Sequence, residues 1–114
     1  MKSILTSIKK LLGITKEYTH FDADIIMHIN TTFLTLAQIG IGPKDGFSIS
    51  DESTTWDTFL GPNKPLYEAV KTYMYLKVRL LFDPPQSATV IESINRIIAE
   101  LEERLKLQAE VDHE

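Results

Sequence analysis

The sequence contains no cysteine. Disulfides, thiol catalysis and thiolate zinc sites are therefore excluded. It also lacks any apolar run near the ~18 residues that a membrane-spanning helix needs. Glycine and proline are sparse, five of each, so each one is informative as a stop or a turn. Histidine occurs only at His20, His28 and His113, too few and too scattered for a strong metal motif. Positive charge is in deficit as well. Twelve Lys and Arg against 16 Asp and Glu give a net charge of −4. A protein built to grip nucleic-acid phosphates is normally basic, or carries a basic face. What is present is ordinary for a folded chain. Over 114 residues, 43% are hydrophobic and 25% charged. Residues 1–114 therefore read as one domain with a real core.

Apolar periodicity predicts a small all-α bundle of about four helices. Ile4, Leu5, Ile8, Leu11 and Leu12 share one helix face, with Ser3 as a cap and Gly13 as a stop. Lys2, Lys9 and Lys10 mark the opposite, basic face. Apolar positions interleaved with Lys and Ser, and no small-residue cleavage site, argue against a signal peptide. Packing onto the domain or a neighbouring subunit is preferred over a membrane surface. A second helix spans about Asp22 to Ile39, with the stripe Ile25, Ile29, Phe33 and Leu36, carboxylates at its positive end and Gly40 as its stop. A third follows Pro65, built on Val70, Tyr73, Met74, Val78 and Leu81, and ends at Asp83-Pro84-Pro85. The fourth begins after Ser87 and runs to about Gln108. Its residues Ile91, Ile94, Ile98, Leu101 and Leu105 repeat at the spacing of a coiled-coil seam, which an antiparallel bundle also uses. The acidic stretch 108–114 reads as a flexible tail.

Between the second and third helices lies a long connection, residues 41–63. Gly42, Pro43 and Gly46 signal turns there, and Phe47-Ser48-Ile49-Ser50 alternates as a strand does, which allows a short β-hairpin. Thr54 or Thr55 can cap a single turn from Trp56 to Leu60. A connection this long is usually functional or packed on itself. Its large apolar groups, Phe47, Ile49, Trp56 and Phe59, need cover from the helices or from a partner. Trp56 is the best single candidate for an interface anchor, with core packing as the competing reading.

Catalytic patterns are thin. Asp24 and His28 share a helix face and, with His20 and Asp22, carry groups that can bind a divalent ion. The cluster lacks the second His on one helix face that makes such a motif persuasive, and Asp22 and Asp24 have a sufficient role at the helix start. Ser48, Ser50, Asp51 and Glu52 lie close in sequence, but no nucleophile-elbow pattern surrounds them. No glycine-rich phosphate loop is present. Tyr73 and Tyr75 lie about 200° apart on a helix, which argues against a base-stacking platform. No catalytic residue, cofactor site or metal site is assigned. Charge alternates along the chain: +3 over residues 1–20, −5 over 21–63, +2 over 64–84 and −4 over 85–114. Such blocks can guide subunits or partners into register.

The run Val70-Lys71-Thr72-Tyr73-Met74-Tyr75-Leu76-Lys77-Val78-Arg79-Leu80-Leu81-Phe82-Asp83-Pro84-Pro85 resembles the central helix and turn of small head–tail connector proteins of tailed phages and prophages. The loop Gly42–Ile49 with Trp56-Asp57-Thr58-Phe59-Leu60 fits the same proteins, as does Asp24–Asn30 leading into the second helix. These are structural patterns and name no active site.

The resemblance implies a non-enzymatic virion protein, also called an adaptor or head-completion protein, resident in the host cytoplasm before assembly. It implies a ring of about twelve subunits, in which each copy uses two different surfaces. The ring binds the portal protein on one side and a downstream, stopper-like neck or tail protein on the other, and DNA passes through its lumen without sequence-specific binding. An acidic ring suits such a channel. On this reading Leu105, Leu107 and Val111 face the portal. Phe47, Ile49, Trp56 and Phe59 reach a neighbour or the neck partner, and the loop and tail order on assembly. The alternative reading is a small helical phage-encoded regulatory protein that binds a single host or phage partner and needs no ring.

Overall fold

In a computed structural model, which describes residues 1–112, five α-helices follow in order: α1 (Ile4–Leu11), α2 (Asp22–Ile39), the short α3 (Trp56–Leu60), α4 (Tyr67–Phe82) and α5 (Ala88–Asp112). A 3-10 turn, Gly61–Leu66, joins α3 to α4. The four long helices are those the periodicity predicts. Helix α4 is the centre and packs against α2, α5 and α1. That position follows from its composition, because apolar residues spread over much of its circumference cannot be covered from one side. Val70, Tyr73, Met74 and Val78 are fully buried, and so is the α2 stripe Ile25, Ile29, Phe33 and Leu36.

The helix ends have local causes. The Ser3 hydroxyl accepts from the Thr6 N–H at 3.2 Å, and the Ser87 hydroxyl accepts from the Val90 N–H at 3.3 Å. Gly40 closes α2 at φ +104°, a left-handed conformation that glycine adopts without strain. The start of α4 falls two residues later than the proline rule suggests, since Pro65 sits inside the 3-10 turn. Helix α5 continues past Gln108 to Asp112, because Ala109 is buried in the core and extends the packed seam. The expected flexible tail over 108–114 is thus helical as far as Asp112. Positions 113 and 114 lie outside the described residues.

The hairpin is a correction. Among the described residues there is no strand, only an isolated bridge between Ser3 and Thr55. It is made by Ile4 N–H to Thr54 O at 3.0 Å and Trp56 N–H to Lys2 O at 3.1 Å, and it ties the chain start to the entry of α3. The alternating segment 47–50 has no partner strand. The side chain of Asn30 substitutes for one, donating to Ile49 O at 2.9 Å and accepting from Ile49 N–H at 2.8 Å. This reciprocal pair satisfies both backbone groups of a buried loop residue, as a sheet ladder would. Beside it, Phe33, Phe47 and Phe59 form a three-ring cluster with centroids 4.6 to 5.1 Å apart. Gly42 lies under the Phe59 ring at φ +96°, where a side chain would collide with that ring.

Lys9 is the second correction. The sequence places it on the basic outer face of α1, yet it is buried. Its ammonium donates to Tyr18 O at 2.7 Å and Lys16 O at 3.2 Å, and pairs with Asp22 Oδ1 at 2.7 Å. Residues 13–21 contain few apolar groups to hold them down. A charge bonded to three oxygens does so instead, which meets the condition for burying a cation.

Candidate assembly surfaces

The residues singled out as contacts divide sharply in the structure. Trp56 is 0% exposed and packs edge-on against Tyr67, with ring centroids 5.8 Å apart. Its Nε1–H is buried with no partner among the described residues. Ile49 and Phe59 are also core, and Phe47 is half-buried in the phenylalanine cluster. These four are therefore not open anchors. The loop folds back because α2 offers both an apolar ring and a polar clamp, Phe33 and Asn30, on adjacent turns.

Helix geometry separates the other group. Leu105 and Leu107 are two residues apart, about 200° around the helix, so they cannot face one surface. Leu105 packs in the core, while Leu107 and Val111 are 53% and 61% exposed. Those two are spaced i, i+4 and share a face. Val90 and Ile97, nearer the start of α5, are also exposed and flank its inner seam. Helix α5 thus has two apolar stripes. Its inner one, Ile94, Ile98 and Leu105, belongs to the bundle, and its outer one has no partner within the described residues. Between the two, Glu102 accepts from the Tyr73 hydroxyl at 2.7 Å. Burial first, then this bond and the carboxylate's charge, hold the Tyr73 phenol neutral well above its ordinary range.

A second open surface lies at the other end of the sequence. A cleft of about 730 Å³ runs between α1 and the first turns of α4. Leu11 and Tyr67 give it apolar walls, and Lys2, Lys10 and Lys71 rim it. Lys71 sits over the Tyr67 ring at 4.7 Å and pairs loosely with Glu68 at 3.4 Å. The terminal amine lies 3.9 Å from Asp57, whose carboxyl is lowered chiefly by the Thr55 hydroxyl. Sequence periodicity does not show this cleft, because it exists only where two distant segments meet.

The groups weighed for chemistry are not assembled into a site. Among the described residues no three His, Asp or Glu are placed to hold a metal ion. Asp22 is committed to Lys9, and the exposed His20 lies edge-on to Phe21 at 4.8 Å. Asp51 is held by Ser53, its carboxyl lowered by that side chain's hydroxyl and then by its backbone N–H. No helix among the described residues is long and apolar enough to cross a membrane.

Two surfaces, the outer face of α5 and the α1–α4 cleft, are left open among the described residues. The family model described as Phage connector protein matches residues 4–112. The chain belongs to that family. No curated protein and no solved structure matches it. Membership gives this connector a structural, non-enzymatic kind of role at the head–tail junction of a phage virion.

Proposed function

We propose that this connector assembles into a ring of about twelve subunits that joins the portal to the downstream neck or tail protein and lets DNA pass. The family match carries the reading, and the outer stripe of α5 supports it. A helix that already supplies one face to its own bundle keeps a second apolar face, and such a face marks contact with another chain. The net charge of −4 supports a channel through which DNA slides without sticking. Before assembly the protein resides in the host cytoplasm. Because Leu105 is core, the contact role assigned to the C-terminal region falls to Leu107 and Val111.

The test is to mix the purified protein with the portal encoded by the same phage genome and image the product by electron microscopy. A ring stacked on the portal, with matching or near-matching subunit number, supports the reading. An intact portal that recruits no connector contradicts it and favours the regulatory alternative, in which a single partner is bound without a ring.

A further inference from the structure

The outer end of α5 and the α1–α4 cleft have opposite character. Around Leu107 and Val111, the same helix face carries Glu100, Glu103 and Glu110 against one cation, Arg104. The cleft reverses this pattern. Its apolar walls are edged by Lys2, Lys10 and Lys71, and only Glu68 opposes them. Lys2 and Lys10 are exposed and have no ion-pair partner among the described residues. An i, i+4 apolar pair flanked by carboxylates is the shape and charge that a lysine-edged groove between two helices accepts. Leu107 and Val111 remain exposed in their own chain, so the groove they fit belongs to another molecule.

We propose that the C-terminal end of α5 docks in the α1–α4 cleft of a second copy of this chain. Leu107 and Val111 enter between Leu11 and Tyr67, and Glu103 and Glu110 meet Lys10 and Lys71. The two surfaces differ, so the contact is head-to-tail, and a joined pair keeps one cleft and one α5 end free for further copies until a ring closes. The inference rests on the ring reading. It names the next subunit, rather than the portal, as the partner of Leu107 and Val111.

The absence of cysteine allows a clean test. Single variants Leu11→Cys and Leu107→Cys, both at exposed positions, are mixed under oxidising conditions, at high protein concentration and again on the portal. A Leu34→Cys variant on the exposed face of α2 is the control. The expected result is a mixed disulfide between Leu11→Cys and Leu107→Cys at least tenfold above pairing of either with the control, and a ladder of multimers from the double variant. Lys10→Glu in the Leu11→Cys copy should weaken the cross-link, and Glu103→Lys in the Leu107→Cys copy should restore it. Rings that form on the portal with cross-linking no better than the control overturn the inference and leave the ring reading standing. Failure to join the portal contradicts the ring reading. In that case the free-protein cross-link still decides the inference, its absence overturning it.

Discussion

Trp56 and Phe59 sit in the single short helix of the long α2–α4 connection and are buried, whereas Leu107 and Val111 sit in the longest helix and are exposed. The two regions invert the usual association of loops with contact and helices with core. The loop between α2 and α4 is held by one amide clamp and a cluster of three rings, so its apolar groups complete the monomer. Helix α5 needs only one stripe to close the bundle. Its other stripe is surplus to folding and available to a second molecule. Regularity is a statement about hydrogen bonding, while burial depends on what lies opposite. A disordered-looking sequence can be core where a neighbour offers both an apolar face and polar partners.

Substitutions separate the two regions by size of effect. Trp56→Ala should be the most damaging, costing about 3–5 kcal/mol of stability in denaturant melts, because it removes a fully buried indole. A cost near that of an exposed site would place Trp56 at the surface. Asn30→Ala should follow at about 1–3 kcal/mol, since the Ile49 N–H and C=O lose their partner in a buried setting. Slow exchange of the Ile49 amide should vanish in that variant, and its persistence would show that something else holds the loop. Tyr73→Phe should cost about 1 kcal/mol by removing the bond to Glu102. The folded protein keeps that phenol neutral, so its contribution is present below the ordinary tyrosine value of about 10 and is lost as pH rises above it. Between pH 9 and 11 the Phe variant should therefore lose less stability than the parent. Smallest of all, Leu107→Ser and Val111→Ser should change monomer stability by less than about 0.5 kcal/mol while reducing assembly. A large loss of stability there would make the outer stripe part of the core.

Much of the bundle was legible because helical burial is periodic. Ile25, Ile29, Phe33 and Leu36 repeat at the helical period and are all buried, and Gly40 and Pro84 act where their backbone preferences say they must. The loop was not legible, because its cover comes from Asn30 and Phe33, which no local pattern links to Ile49 and Phe59. Alternation at 47–50 suggested a strand, but a strand also needs a partner, and none lies beside it. Lys9 misled because charge signals exposure unless backbone oxygens converge on it, and that convergence is tertiary. At α5, reading Leu105 with Leu107 overlooked the 200° between them. Counting the helical angle from Leu105 onward separates the core seam from the outer stripe and identifies Leu107 and Val111 as the exposed pair.

Hydrogen exchange on the free protein and on its complex with the portal tests both halves of this division at once. Residues 47–60 should already be protected in the free chain, with new protection on assembly appearing at the end of α5 and in the α1–α4 cleft and not over 47–60. Rapid exchange over 47–60 in the free chain, with protection gained there on assembly and none at 100–112, would show that the loop is the contact and α5 is not.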